Sequence, residues 1–159
     1  MMNAYAQQKS YRQNQILTAS PEQILIMLYD GAIRFVRQAI DGIENDRPSR
    51  KLEGISRALA IVAELSNTLD REVGGEMAEN LDSLYHFMIR EMTEARKDNS
   101  VPRLKVVDDL LSDLRETWME AIEINRRETS ANPGGAGQKQ QADSEQEPPQ
   151  HYRPLSAAG

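Results

Sequence analysis

The chain has 159 residues, a formal net charge of −6 and no cysteine, and 39% of its residues are hydrophobic but only 5% aromatic. This length suits one domain with a core of its own. The lack of cysteine excludes a disulfide framework, a thiolate metal site and a cysteine nucleophile, and the acidic balance argues against a nucleic-acid partner.

The first ten residues, MMNAYAQQKS, contain no apolar signal core, and the longest apolar run in the chain is far shorter than a membrane span. We therefore expect a cytosolic protein without membrane insertion. Residues 1–17 are polar with isolated apolar positions, which cannot bury enough surface to order the segment alone. We expect a mobile N-terminal segment in which Ile16 and Leu17 pack against the following domain and Tyr11 covers an apolar groove.

The first helix begins in the stretch TASPEQ. Ser20 suits the N-cap, Pro21 loses no hydrogen bond at the first helical position, and Gln23 can complete a capping box. The helix is predicted to run from Ser20 to Glu44, because the sequence NDRP that follows marks a break.

Apolar residues cover roughly half the circumference of this helix, which is wider than the stripe that a bundle seam needs. Two interpretations remain open. Either the helix is central and packs on two sides, or part of the apolar arc is kept for a partner. The arc consists of Ile24, Leu25, Ile26, Leu28, Ala32, Ile33, Phe35, Val36, Ala39 and Ile40.

Three more helices follow, separated by short polar or glycine-rich breaks. The second is predicted over about 49–70 with Ser49 as its cap, and its Gly54 allows a close approach of two helices. The third spans about 76–97, after the break VGG, and the fourth spans about 102–128. Four helices of similar length with short connections specify an all-α, antiparallel up-and-down four-helix bundle.

A four-helix bundle can hold a di-iron site, which takes a Glu-x-x-His motif from each of two helices. Ser83 stands three residues before His86, and His151 lies in the C-terminal tail, so this motif is absent. No serine has a histidine–carboxylate pair suggested by the local sequence, and no glycine-rich loop follows a strand. We expect no enzymatic activity, no metal and no cofactor.

What the sequence offers a partner is apolar surface. Tyr29, Tyr85 and Trp118 lie on or beside apolar stripes, where packing in the core is the simpler interpretation. Methionines of the third helix are also ordinary core residues, although their flexible thioethers suit a groove that accepts helical ligands. The candidate partner-binding residues are Tyr11, Ile16, Leu17, Ile26, Tyr29, Ile33, Leu84, Tyr85, Met88, Met92 and Ile124.

The composition changes after the fourth helix. Residues 129–159 are rich in Gly, Pro, Gln and Ser, with almost nothing apolar. Such a segment cannot support a core, so we expect a disordered tail. The simplest interpretation is a solvating tail without a specific role. The predicted organisation is therefore an N-terminal segment over 1–17, a helical domain over 18–128 and a tail over 129–159.

The stretch TASPEQILIMLYDGAIRF, preceded by YRQN at 11–14, closely resembles the start of the flagellin-binding flagellar secretion chaperones, the FliS family. The resemblance covers about 11–122 with the same order and spacing throughout. MLYDG at 27–31 is its most specific part. Supporting points are Thr18, Ala19, Ser20, Pro21, Ala39, Glu64, Leu65, Leu69, Asp70, Leu84, Tyr85, Leu114, Arg115 and Trp118.

This resemblance implies a cytosolic four-helix chaperone for flagellin. It would hold the C-terminal segment of flagellin, prevent premature polymerisation and deliver the subunit to the export apparatus, with the export gate as a further partner. The tail departs from the family, so the resemblance assigns it no function. The alternative from another class is a non-enzymatic helical adaptor or oligomerisation bundle that uses its apolar surface on itself, as a homodimer for example.

Overall fold

A computed structural model describes residues 19–131, which form four α-helices and no strand. Helix α1 is Pro21–Glu44, α2 is Pro48–Asn67, α3 is Arg71–Asp98 and α4 is Val101–Ala131. Helix α1 packs against α2 and α4, and α3 packs against the same two helices from the other side. The predicted up-and-down bundle is confirmed, and α1 packs on two sides, as each of the four helices does.

The predicted start of α1 is confirmed in detail. The Ser20 hydroxyl accepts a hydrogen bond from the Gln23 amide at 3.2 Å, and the Gln23 side chain accepts one from the Ser20 amide at 3.0 Å. Pro21 occupies the first helical position. Both amides are satisfied by side chains three residues away, so this helix start depends on local sequence alone.

The predicted ends of α2 are wrong by one to three residues. The helix begins at Pro48, not after Ser49, and Arg47 at the N-cap makes no side-chain capping bond. Proline replaces the cap here because its ring already fixes the helical φ angle and it has no amide to satisfy. The helix ends at Asn67, and Asp70, where the prediction placed its end, is instead the N-cap of α3 and accepts a hydrogen bond from the Val73 amide at 3.1 Å.

The predicted break before α3 lies inside the helical span. Gly75 has φ 53° and ψ −128°, a backbone conformation that only glycine adopts readily, so one helical turn over 71–74 is separated from the rest of α3. The predicted start at Glu76 is therefore the start of the continuous part. Arg71 of the first turn is tied to Asp82 by an ion pair of 2.9 Å.

Helix α4 extends to Ala131, three residues beyond the predicted end. The Ser100 hydroxyl accepts a hydrogen bond from the Arg103 amide at 3.3 Å and caps the helix start. The fully buried residues of α4 all lie in its first eleven positions; they are Leu104, Val107 and Leu111. Its long C-terminal part is therefore less covered than any other part of the bundle that the structure describes.

The core is apolar and closely packed. Gly54 of α2 lies against the backbone of α1, where a Cβ atom would come within 2.6 Å of the Phe35 carbonyl oxygen and 2.8 Å of the Ala39 nitrogen. The predicted close approach at Gly54 is thus confirmed. The largest fully buried side chains are Tyr29, Val36, Ile55, Val62, Leu65, Tyr85, Met88, Met92, Leu104, Val107 and Leu111. None of the helices within residues 19–131 is long and apolar enough to cross a membrane.

Candidate functional site: an apolar groove between two helix ends

Helix α4 is held to α1 by side-chain bonds along its middle. The Arg37 guanidinium pairs with Asp108 at 2.9 Å, and the Arg115 guanidinium pairs with Asp30. One turn further along α4, the Trp118 indole N–H donates a hydrogen bond of 3.1 Å to the Tyr29 hydroxyl. Because the two helices are antiparallel, these contacts bring the last turns of α4 beside the first turns of α1.

Beyond Trp118, α4 is open to solvent on most sides. Within the described part of the chain, the side-chain hydrogen bonds and ion pairs of Met119–Ala131 all stay inside α4. These thirteen residues extend about 20 Å at 1.5 Å per residue. Met119 is 44% exposed and Ile124 is 49% exposed. A helix end that carries exposed apolar residues is a surface available to a partner.

A groove of about 900 Å³ lies between this end of α4 and the start of α1. Its apolar lining comes from Ile26 and Met27 on α1 and from Met119 and Ile122 on α4. Polar and small side chains form its rims. These are Ala19, Ser20, Glu22, Gln23, Glu123, Asn125, Arg126, Thr129 and Ser130.

The charged groups of the rims are unequally paired. Glu123 accepts hydrogen bonds from Arg126 at 2.9 Å and from Arg127 at 3.1 Å, and these bonds, led by the one from Arg126, lower the pKa of the Glu123 carboxyl. Glu22 on the opposite rim makes no ion pair with any residue of 19–131. The groove therefore carries charges of both signs, with Glu22 unpaired on the α1 side and two arginines sharing the Glu123 carboxylate on the α4 side.

A hydrogen-bonded aromatic group lies where the groove meets the core. The hydroxyl groups of Tyr29 and Tyr85 are 2.5 Å apart, and Trp118 donates to the same Tyr29 oxygen. Burial raises the pKa of both tyrosine hydroxyls, since the phenolate would lose its hydration. The two tyrosines are fully buried, whereas Trp118 is half-buried and packs against the core from its edge. This group joins α1, α3 and α4.

The structure separates the predicted partner-binding residues into three sets. Ile26 lines the groove. Ile124 is exposed on α4 but does not line the groove, and Leu84 is half-buried against the core. The core encloses Tyr29, Ile33, Tyr85, Met88 and Met92, which present almost no surface to a partner in this conformation. Tyr11, Ile16 and Leu17 lie outside the described residues.

Sequence reasoning did not single out Met27, Met119 or Ile122 as groove residues. The signal was present in the topology. In an antiparallel bundle the first turns of α1 must lie near the last turns of α4, so apolar residues at these two ends share one surface.

Comparison with known proteins agrees with the resemblance in the sequence. Residues 1–125 match the family described as flagellar protein FliS. The chain is 34% identical over 125 residues to the flagellar secretion chaperone FliS of Bacillus subtilis strain 168, which covers 79% of this chain and 92% of that relative. It is 36% identical over 120 residues to the chaperone of the same name from Salmonella typhimurium, covering 75% and 87%. A third such chaperone, from Campylobacter jejuni, is 36% identical over 122 residues.

Proposed function

Because this chain belongs to the FliS family of flagellar secretion chaperones, we propose that it binds the C-terminal segment of flagellin in the cytosol. Binding would prevent premature polymerisation, and the chaperone would then deliver the subunit to the flagellar type III export apparatus, with the export gate as its docking partner. The relatives are named chaperones, and the proposed role involves no catalysis.

The observation that supports this proposal most is the groove between α1 and α4. Four large apolar residues lie in it among polar and small ones, it follows α4 from Met119 to Ser130 over about 18 Å, and its sides are helices. An amphipathic helix can lie in such a groove and bury its apolar face. A subunit that polymerises through an amphipathic segment would lose its assembly surface while that segment is held here.

The expected energetics also suit a cargo that must be released. A segment that folds on binding loses conformational entropy, so the interface can be large without making the complex irreversible. Thioethers in the groove, those of the half-buried Met27 and the exposed Met119, adapt to different ligand side chains at little cost. Affinity can then be moderate although the buried area is considerable.

The proposal is tested by titrating the chain with flagellin and with flagellin that lacks its C-terminal segment, using isothermal titration calorimetry. We expect a defined complex with the full subunit and none with the truncated one. Equal binding of both proteins, or of neither, would contradict the proposal.

The adaptor alternative predicts a different result in the same samples. A bundle that uses its apolar surface on itself would gain mass with concentration in the absence of flagellin. Sedimentation velocity of the chain alone measures this directly.

A further inference from the structure

We propose that the C-terminal tail of this chain, through His151–Leu155, docks in the groove between α1 and α4 and competes with its ligand. The docking itself depends only on the groove, whereas the competition rests on the proposed function. The family match ends at residue 125, so this device belongs to the chain and not to the matched domain.

The position and length of the tail allow this docking. Thr129 and Ser130 are groove residues, and Ala131 is the last residue of α4. The chain continues for 28 residues beyond it. Residues 132–150 consist mainly of Gly, Gln, Pro, Ala and acidic residues, and nineteen residues of a random-coil chain would span about 24 Å on average. This span exceeds the length of about 18 Å along which the groove follows α4 from Met119 to Ser130, so the segment can reach any part of the groove.

The composition of the tail singles out one segment. Tyr152 and Leu155 are the only large apolar residues after Ala131, and they lie three positions apart around Arg153 and Pro154. An aromatic ring and a branched aliphatic chain are the ligand groups that an apolar groove lined by Ile26, Met27, Met119 and Ile122 accepts. The other residues of 132–159 are small, polar, charged or proline, so burying them would remove little apolar surface from water.

One charge of the tail complements one charge of the groove. The rim residue Glu22 makes no ion pair within residues 19–131, and Glu123 is already held by two arginines. Arg153 lies between the two apolar anchors and supplies the positive group that Glu22 lacks. At the rim of an apolar groove such a pair is partly desolvated and therefore worth more than an exposed surface pair.

Covalent attachment through residues 132–150 raises the concentration of the segment near the groove. A segment with two apolar anchors binds weakly as a free peptide, but a short flexible linker gives an effective concentration in the millimolar range. A dissociation constant of the free motif between that concentration and about one-ninth of it keeps the groove occupied for about half to nine-tenths of the time, and it weakens a competing ligand by about twofold to tenfold.

The docking is tested without any flagellin, by methyl NMR of the full chain labelled with ¹³C at its methionine methyl groups. The test variant carries Tyr152→Ser and Leu155→Ser, and the matched control carries Ala157→Ser and Ala158→Ser in the same tail. Met27 and Met119 lie in the groove, while the fully buried Met88 and Met92 serve as internal references. We expect the Met27 and Met119 signals to shift in the test variant alone, with the two reference signals unchanged.

The charge pair has its own test in the same spectra. Glu22→Lys and Arg153→Glu should each release the tail, and the two together should restore the signals of the unchanged chain. Signals of Met27 and Met119 that are identical in the chain, the test variant and the control would overturn the proposal. Signals that depend on protein concentration would overturn it as well, since they would show a second copy in the groove.

The consequence for the ligand is measured separately. The test variant should bind the flagellin C-terminal segment about twofold to tenfold more tightly than the control. Shifted methionine signals without any flagellin binding would contradict the proposed function and leave the docking standing. Flagellin binding with unchanged methionine signals in every tail variant would contradict the docking and leave the proposed function standing.

Discussion

Tyr29 of α1 and Tyr85 of α3 meet hydroxyl to hydroxyl across the diagonal of the bundle, with 2.5 Å between their oxygen atoms. The indole N–H of Trp118 donates to the same Tyr29 oxygen from α4. Three helices are thus linked by polar groups inside an apolar core, at the level where α4 leaves the core and begins to line the groove. No buried side-chain polar atom in residues 19–131 lacks a hydrogen-bond partner.

This pair predicts a loss of stability in alkali. Burial raises the pKa of both tyrosines above that of an unfolded tyrosine, about 10, so the unfolded chain ionises first. The stability they contribute is fully present below pH 10 and is lost as pH rises above it, by up to about 1.4 kcal/mol per pH unit for each buried hydroxyl.

The variant Tyr85→Phe removes one of the two ionisable hydroxyls and keeps the Trp118 bond to Tyr29, so it should reduce the loss of stability between pH 10 and 12. Urea unfolding at a series of pH values measures this. Parallel curves for the chain and the variant would contradict the prediction.

Gly54 is predicted to be irreplaceable in the packing of α1 on α2. In Gly54→Ala the new methyl group would lie 2.6 Å from the Phe35 carbonyl oxygen, which is backbone and cannot move aside. We expect a loss of about 1–3 kcal/mol in the free energy of unfolding, despite a gain of about 1 kcal/mol in helix propensity. Gly31→Ala is the control, because its methyl group would meet only the flexible end of Ile61 at 3.2 Å. Thermal unfolding should show a lower midpoint for the first variant and little change for the second.

Binding of the flagellin segment is predicted to depend little on salt. The groove lining is apolar, and exposed charge pairs are screened over about 8–10 Å in ordinary buffers. The dissociation constant should change by less than about threefold between 50 and 500 mM sodium chloride. A steep loss of affinity in the same calorimetric titration would show that charge, not apolar surface, holds the segment.

The N-terminal segment is predicted to cover apolar surface in the free protein. The groove begins at Ala19, two residues after Leu17, three after Ile16 and eight after Tyr11 along the chain. Deleting residues 1–13 should therefore strengthen binding of the flagellin segment and increase self-association of the free chain, because the apolar surface is left open. Calorimetry and sedimentation velocity measure the two effects. Loss of binding in a monodisperse protein would instead make the segment part of the ligand site.

Features that depend on neighbouring residues could be predicted from the sequence. The capping box of Ser20 and Gln23 and the break at Gly75 involve only a few consecutive positions, so their residue types specify them. The prediction of the α2 start was wrong although it, too, concerned neighbouring residues, because two of them can each start a helix. Ser49 is a good cap, but Pro48 precedes it and starts the helix without one.

The sequence could predict that an apolar partner surface exists, but not which residues form it. The wide apolar arc of α1 indicated a surface beyond the core, and Ile26 does line the groove. Which other residues share that surface depends on how the far end of α4 lies beside the start of α1, and sequence periodicity does not give this register. Met88 and Met119 illustrate the difficulty: both are methionines on predicted helices, but the first is fully buried and the second is 44% exposed.

The central claim, that the flagellin segment lies in the groove between α1 and α4, is tested most directly by two matched variants of α4. Met119 and Ile124 are exposed to similar extents, 44% and 49%, but only Met119 lines the groove. We predict that Met119→Ser weakens calorimetric binding of the flagellin C-terminal segment about tenfold, equivalent to about 1.4 kcal/mol, while Ile124→Ser changes it less than twofold. Equal effects of the two substitutions, or a larger effect at Ile124, would contradict the claim.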